Sequence, residues 1–240
     1  MSGERTILIT GANRGIGLGL AEQFLRRGWK VFAACRRPDA AAVLTDLKRG
    51  HAGNLEILRL DVCDERSVSV MAANLAQLSP SLDVLINNAG INPEPRDQTV
   101  ADISVATVAQ VFDINVLGAL RVMQAVLPLL KGSACPRVVN ISSGAGSLAH
   151  NPARRPQPAY CISKAALNML TRRAAQDLAL GGVITVSISP GWIKTDMGGA
   201  NADLSVEEAT AALATTIENL QAQHNGLWLD RFGQPSEYAW

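Results

Sequence analysis

The sequence predicts an α/β protein, a single doubly wound domain in which seven parallel strands form one sheet with helices on both faces. Short apolar runs alternate with longer stretches of helical periodicity along the chain, which is typical of repeated strand–helix–strand units. A glycine or a polar residue follows nearly every apolar run. In a parallel sheet the ends of these runs lie together at the carboxyl edge, where ligands bind. Because no internal repeat or low-complexity segment interrupts this pattern, residues 1–240 are expected to form one domain.

The first predicted strand, residues 7–9, ends in a glycine-rich turn. A helical pattern of apolar residues follows at once, so the turn joins a strand to a helix N-terminus. Gly11, Gly15 and Gly17 would let a ligand approach the backbone and leave the first helical N–H groups open to a phosphate. The spacing G-x-x-x-G-x-G differs from the common dinucleotide fingerprint. An ordinary turn of an α/β unit is the alternative that this stretch alone leaves open.

Six further apolar runs predict the other strands. They cover residues 30–35, 55–60, 82–86, 136–141, 183–188 and 226–229. Helical periodicity predicts helices over 64–78, in two stretches of 99–131 and over 159–180, and a capping box at Ser205 and Glu208 opens one more.

Composition excludes several classes of protein. The net charge of +1 and the 4% aromatic content do not favour a nucleic-acid partner. The longest apolar stretch, 119–130, is too short and too polar to span a bilayer, and the first strand begins too early for a signal peptide to precede it. The four cysteines are widely spaced, so we expect free thiols, a cytoplasmic location and no metal site. They are Cys35, Cys63, Cys135 and Cys161.

A tyrosine and a lysine, Tyr160 and Lys164, stand four residues apart near the start of a predicted helix. This spacing puts both side chains on one helix face. A free tyrosine has a pKa of about 10, and a neighbouring ammonium lowers that pKa by favouring the phenolate. The pattern Y-x-x-x-K also occurs by chance, so the pair is significant only together with the other motifs.

Several motifs occur together in one order along the chain. They are Thr10-Gly11-x-x-x-Gly15-x-Gly17, Asn87-Asn88-Ala89-Gly90, Asn115 in a helix, Ser143, Tyr160-x-x-x-Lys164, and Pro190-Gly191 followed by Thr195. Over nearly the whole chain the sequence resembles the classical short-chain dehydrogenase/reductase family, whose members have a Rossmann-type domain. Within that family it is similar to the small carbonyl reductases of the Sniffer and C-factor type, because the chain after Pro190 is short and because of the pattern from Gly226 to Trp240.

The resemblance implies an oxidoreductase that reduces an aldehyde, ketone or quinone with NADPH. Tyr160 would protonate the carbonyl oxygen as the general acid. Lys164 would lower the pKa of Tyr160 and hold the nicotinamide ribose. Ser143, which we prefer to its neighbour Ser142, would hydrogen-bond the substrate oxygen. Asn115 would hold a water that relays protons to Lys164, and a bond to the backbone is its alternative role.

The resemblance also implies a set of residues that contact the cofactor. Asn88 and the two residues after it would lie beside the adenosine ribose, and Asp61 and Val62 beside the adenine. The full set is Gly11, Asn13, Arg14, Gly15, Ile16, Gly17, Arg36, Arg37, Asp61, Val62, Asn88, Ala89, Gly90, Tyr160, Lys164, Pro190, Gly191, Trp192, Ile193 and Thr195.

The end of the second strand indicates NADP(H) rather than NAD. An acidic residue there would bond the ribose 2′-hydroxyl, but the sequence places Arg36 and Arg37, which attract a 2′-phosphate. Arg14 in the glycine turn would add a third positive charge. The nearest acid, Asp39, lies beyond Pro38 and is expected to point away. One of the two adjacent arginines is expected to be a solvated loop residue.

Two loops are expected to shape the substrate pocket, and a surface connection is the alternative role for each. The first, 144–158, separates Ser143 from Tyr160 by more residues than the family pattern usually has. The second, 197–204, is small, polar and suited to a mobile flap. Candidate pocket-lining residues are Leu148, His150, Trp192 and Met197.

Two other functions remain open from the sequence. One is an NADP(H)-binding signalling or redox-sensing protein with little turnover, and the other is an NAD-dependent alcohol dehydrogenase. The expected partner is a small carbonyl substrate, with neither nucleic acid nor membrane. We also expect a homodimer that forms through the helices predicted within 99–131 and 159–180.

Overall fold

The structure, a computed structural model, describes residues 4–95, 97–149, 157–237 and 240. Seven short strands of largely buried residues lie in one sheet, and every neighbouring pair is parallel. The strands are β1 (Thr6–Thr10), β2 (Lys30–Cys35), β3 (Leu55–Arg59), β4 (Val84–Asn87), β5 (Arg137–Ile141), β6 (Ile184–Ser189) and β7 (Trp228–Asp230).

The strand order is β3-β2-β1-β4-β5-β6-β7. The chain first builds outward from β1 to β3, and then crosses back to β4 on the other side of β1. This reversal leaves a crevice at the carboxyl ends of β1 and β4, where doubly wound sheets bind their ligands. The predicted fold class is confirmed.

Seven α-helices cover the two faces of the sheet within the described ranges. They are α1 (Gly15–Arg26), α2 (Ala42–Gly50), α3 (Glu65–Leu78), α4 (Val105–Phe112), α5 (Gly118–Lys131), α6 (Pro158–Asp177) and α7 (Val206–Glu218).

Each face of the sheet has its own hydrophobic core. Ile7 and Ile9 of β1 belong to one cluster, with apolar residues of α1, α2 and α7. Leu8 belongs to the other, with apolar residues of α3, α5 and α6. Alternate side chains of one strand therefore anchor opposite layers of helices, as the period of two requires.

Some elements differ from the prediction. Helix α2 was not predicted, because Leu44 is its only buried residue and Ala41 before it supplies no side-chain cap. The fourth strand starts two residues later than predicted, at Val84. The two helices predicted within 99–131 are α4 and α5, which a π-helical segment, Asp113–Leu117, joins into one run.

This continuous run, Val105–Lys131, is long and apolar enough to cross a membrane by length and composition, and 28% of its most apolar window is buried. The sequence expectation considered only 119–130 and so underestimated its length. The run packs on α3 and α6 over part of its surface.

A chain of buried polar side chains fastens α6 to the centre of the sheet. Asn87 Nδ2 donates to Asn140 Oδ1 at 2.8 Å, and Asn140 Nδ2 donates to Thr171 Oγ1 at 2.9 Å. Thr171 Oγ1 in turn lies 2.8 Å from Ser187 Oγ. These directional bonds fix where α6 lies along β4, β5 and β6.

Candidate active site

A cleft of about 1050 Å³ opens at the carboxyl edge of the sheet. It brings together most of the residues singled out in the sequence. Those that line it are Gly11, Asn13, Arg14, Gly15, Ile16, Arg36, Arg37, Asp61, Val62, Asn88, Ala89, Gly90, Ser143, Tyr160, Lys164, Pro190, Gly191, Trp192, Ile193 and Thr195. Gly17 and Asn115 lie behind this lining.

The glycine turn is held tightly against the end of β4. Gly11 has φ of +65°, and a Cβ there would lie 3.0 Å from Ala89 Cα. A Cβ on Gly17 would lie 2.5 Å from the Gly11 carbonyl oxygen, so Gly17 supports the turn from below. Asn88 Nδ2 donates to the carbonyl oxygens of Thr10 and Gly11, at 2.9 and 3.2 Å. The turn therefore needs glycine for close packing.

The N-terminus of α1 borders the cleft at Gly15 and Ile16. Arg14 precedes the helix and makes no side-chain cap bond, and the first turn contains no acidic residue. The helix dipole and these N–H groups favour an anion at this point.

Positive charge gathers at the β2 end of the cleft, where Arg36 and Arg37 lie. Asp39, the acid nearest to them in sequence, is 88% exposed at its side chain and pairs with Arg59 at 3.0 Å. It does not line the cleft. Its carboxylate is thus held away from the cleft, as the sequence predicted.

Tyr160 and Lys164 lie one turn apart on α6, and both side chains border the cleft. Lys164 is 6% exposed, and its Nζ donates to the Ile141 carbonyl oxygen at 2.8 Å. The same Nζ lies 5.6 Å from the centroid of the Tyr160 ring. Burial lowers the pKa of Lys164 to about 8, because the charged form is poorly solvated there. The lysine can thus gain or lose a proton near neutral pH.

The two serines at the end of β5 have different partners. Ser142 is buried, and its Oγ donates to Asn168 Oδ1 at 2.6 Å. Ser143 Oγ accepts the amide N–H of Ala145 at 3.2 Å, which leaves its own hydroxyl proton to be donated elsewhere. Both border the cleft. These bonds favour Ser143 as the donor to a substrate oxygen.

Asn115 is buried in the π-helical segment. Its Oδ1 accepts the Ile91 N–H at 2.8 Å, and its Nδ2 donates to the Ile91 carbonyl oxygen and to Ser163 Oγ, each at 3.0 Å. The side chain therefore joins the segment after β4 to α6. Its predicted role in holding a water stays a prediction.

Sequence reasoning missed several residues of the cleft. Ile91 and Asn92 directly follow the Asn87–Gly90 motif, and Gln157 closely precedes Tyr160, so proximity to a motif was the available signal. Most of the others also flank residues that the sequence singled out, and Gly198 lies within the predicted flap, whereas Gln110 and Val206 stand apart from the predicted residues of the cleft. The full set is Cys35, Leu60, Cys63, Gln110, Asp113, Ile114, Ile141, Lys194, Asp196, Gly198 and Val206.

Cys63 lies beside the predicted adenine residues. Burial, and then a hydrogen bond to Asp113, raise the pKa of the Cys63 thiol to about 11. The thiol is therefore protonated at neutral pH. Asp113 also pairs with Arg121 at 2.8 Å.

The predicted pocket-lining residues are only partly assembled. Trp192 and Met197 line the cleft, whereas Leu148 is 81% exposed and does not. His150 lies outside the described residues. In the predicted flap, Trp192 Nε1 donates to the Gly198 carbonyl oxygen at 2.9 Å, and Ile193 pairs with Leu204 as a parallel bridge.

Comparison with known proteins supports the relationship that these motifs indicate. A model of the short chain dehydrogenase family matches residues 5–205. C-signal of Myxococcus xanthus is 41% identical over 159 residues, which cover 66% of this chain and 93% of that protein.

Two solved structures have the same fold over nearly the full length. The NADPH-bound carbonyl reductase from chicken fatty liver is 36% identical, with a TM-score of 0.92 and 99% of each chain covered. Carbonyl reductase Sniffer of D. melanogaster is 33% identical, with a TM-score of 0.93 over 99% of this chain and 100% of that one. The predicted similarity to the Sniffer and C-factor type is confirmed. The chain belongs to the short-chain dehydrogenase/reductase family of oxidoreductases.

Proposed function

We propose that this protein is an NADPH-dependent reductase that converts an aldehyde, ketone or quinone to an alcohol, with Tyr160 as the general acid. The observation that carries the proposal is the placement of Tyr160 beside the buried Lys164, on the same cleft as Ser143. A phenol, an ammonium and a hydroxyl donor thus line one cleft, and together these groups can protonate a carbonyl oxygen.

The other half of the cleft fits an NADP(H) molecule. The N-terminus of α1 lacks a side-chain cap and suits a pyrophosphate, and Gly11 and Gly15, which line the cleft, let a ligand approach the backbone. Arg14 and one of the two adjacent arginines, Arg36 and Arg37, would hold a 2′-phosphate by charge-assisted hydrogen bonds. Asp39 is turned away, which argues against a preference for NAD. The chicken carbonyl reductase, named as NADPH-bound, supports the same choice.

The bound cofactor would supply hydride to the carbonyl carbon. Tyr160 donates its phenolic proton to the carbonyl oxygen, so the product is an alcohol. Lys164, as ammonium, would lower the pKa of the phenol and hold the nicotinamide ribose. Ser143 donates to the substrate oxygen as negative charge grows on it. Asn115 holds the water through which Lys164 exchanges protons with solvent.

The test is oxidation of NADPH and of NADH, followed by absorbance over a panel of aldehydes, ketones and quinones. Tyr160→Phe is expected to lose turnover by about a hundredfold or more, because the phenolic proton is gone. Tyr238→Phe is the matched control, since the chain has two tyrosines. Full turnover in Tyr160→Phe would disprove the assignment of the general acid.

The similarity to C-signal favours one second candidate, an NADP(H)-binding signalling protein with little turnover. The same panel separates the two functions. Tight NADPH binding by calorimetry, with no oxidation of NADPH by any carbonyl tested, would favour the signalling role.

We also propose a cytoplasmic homodimer. The partly uncovered apolar run Val105–Lys131 and its neighbour α6 supply the interface. Light scattering at micromolar concentration is expected to give twice the mass of one chain, 25.4 kDa. A monomer would contradict the dimer, and co-sedimentation with lipid vesicles would show that the run contacts a membrane instead.

A further inference from the structure

A side chain from outside α6 caps the helix that carries Tyr160. Glu94, in the segment after β4, is 7% exposed. Its Oε1 accepts the amide N–H of Ala159 at 3.2 Å, and its Oε2 accepts the amide N–H of Tyr160 at 2.8 Å. Gln157 Nε2 also donates to the Glu94 carbonyl oxygen at 3.4 Å. Side chain and backbone of Glu94 are thus both bonded to the start of α6.

The local sequence of α6 does not supply a cap of its own. Gln157, the residue before the helix, has φ of +107°, which is a strained, left-handed conformation for a residue other than glycine, and its side chain makes no cap bond. Pro158 has no N–H, and the Cys161 N–H bonds the Gln157 carbonyl oxygen at 3.1 Å. The two N–H groups between them are the pair that Glu94 accepts. Glu94 therefore completes the first turn of the helix.

The same segment also contacts the predicted cofactor region. Asn88, Ala89 and Gly90 line the cleft, and Asn92 follows them in its wall. Glu94 lies two residues beyond Asn92. A short stretch of backbone thus runs from the predicted cofactor region to Glu94, whose side chain accepts the N–H of the proposed general acid.

We propose that Glu94 is a positioning residue for carbonyl reduction, which sets the Tyr160 phenol in register with the cofactor by bonding the backbone of Tyr160 to the segment after β4. This inference rests on the proposed role of Tyr160. A displacement of about 1 Å in a reacting group can cost about a hundredfold in rate, so a bond to the backbone of that residue bears directly on turnover.

Glu94→Gln is the sharpest variant, because it keeps the size of the side chain. It replaces one of two acceptor oxygens by an amide donor that would face an N–H. Ser104→Ala is the matched control: Ser104 Oγ accepts the Thr107 N–H at 3.0 Å and caps α4, and Ser104 does not line the cleft. Both variants remove part of a helix cap, but only Glu94→Gln weakens the cap of α6.

The measurements are kcat at saturating NADPH, the Kd of NADPH and the melting temperature. We expect Glu94→Gln to lower kcat by about tenfold or more with the NADPH Kd within about twofold of wild type. Ser104→Ala should lower the melting temperature and leave kcat unchanged. A Glu94→Gln enzyme with wild-type kcat below its melting temperature would overturn the inference. If Glu94→Gln does not fold, Glu94→Asp supplies the same comparison.

A second readout does not depend on turnover. With tyrosine labelled by ¹⁵N, the two tyrosine amides can be assigned with Tyr238→Phe, and the hydrogen exchange of the Tyr160 amide can be followed. In wild type we expect slow exchange that NADPH slows further, and in Glu94→Gln fast exchange that NADPH does not slow. Equal protection in both proteins would overturn the inference. Wild type without turnover, but with this difference in exchange, would refute the proposed reaction alone.

Discussion

Arg14, in the glycine turn, forms a salt bridge with Asp196, which follows the cleft-lining residues Pro190 to Thr195. Both residues line the cleft, and Arg14 is also a proposed ligand of the 2′-phosphate. Since both side chains are well exposed, at 64% and 76%, water and salt weaken the bond. A bound phosphate would therefore compete with Asp196 for the same guanidinium.

Removal of this competition is expected to strengthen NADPH binding. In Asp196→Asn, Arg14 no longer has to leave a carboxylate, so the Kd of NADPH should fall by about twofold to fivefold, and the Kd of NADH should change little. Calorimetry at low and at high salt measures both, and the gain should shrink at high salt. Asp203→Asn, another exposed acid of the same segment, is the control. An unchanged Kd in Asp196→Asn would show that Arg14 does not reach the phosphate.

The choice between the two cofactors is expected to depend on Arg36. Arg36→Asp replaces an attractive charge by a repulsive one, so NADPH should bind about tenfold or more weakly, while NADH gains a partner for its 2′-hydroxyl. The ratio of the two kcat/KM values is the measurement. Arg37→Asp made in parallel identifies which arginine is the solvated one. If neither substitution alters the ratio, selection occurs elsewhere in the cleft.

The rate of carbonyl reduction should decline as the pH rises above about 8. Burial lowers the pKa of Lys164 to about 8, so the ammonium is present below that pH and is lost above it. Reduction consumes a proton, and the ammonium supports the phenol that donates it, so the acid side should be a plateau. A pH profile of kcat at saturating NADPH measures this. Lys164→Met should be slow and lack this decline, and Lys131→Met, at the exposed end of α5, should keep it. A decline that persists in Lys164→Met would assign it to another group.

Gly17→Ala is expected to destabilise the protein by about 1–3 kcal/mol through overpacking. A Cβ there would lie 2.5 Å from the Gly11 carbonyl oxygen and 2.6 Å from Asn88 Nδ2, so the turn must shift. Urea unfolding measures the change in the free energy of unfolding. Gly50→Ala, in α2, is the control, because a Cβ there meets nothing within 4 Å. Equal stability of the two variants would mean that the turn relaxes freely.

The strands were predictable because they are buried on both faces, and so appear as short unbroken apolar runs. All five residues of β1 are buried. Helix α2 was missed because it is short, with nine residues, and because no side chain caps its start, although its apolar residues do lie on one face. The π-helical segment around Asn115 breaks the period on which the sequence method depends.

The cleft residues were predictable where they belong to contiguous sequence motifs. They were not predictable where single residues far apart in the sequence come together on folding. The glycine turn and the Tyr160–Lys164 pair carry their spacing in the sequence. Glu94 belongs to no motif, and its bonds to residues 65 and 66 positions away exist only in the folded chain. The same holds for Asp196, whose partner Arg14 is 182 positions away.

The polar chain from Asn87 through Asn140 and Thr171 to Ser187 ties α6, which carries Tyr160 and Lys164, to the sheet. Because the hydrogen bonds between α6 and the sheet are buried, water cannot replace them if they break. The segment 192–204 is held by the backbone bridge between Ile193 and Leu204 and by the exposed ion pair of Asp196 with Arg14. Substitutions intended to broaden the substrate range are therefore best made in 197–204, where the scaffold can absorb them. The same number of substitutions in α6, which carries Tyr160 and Lys164, would lower the rate of turnover before it changed the choice of substrate.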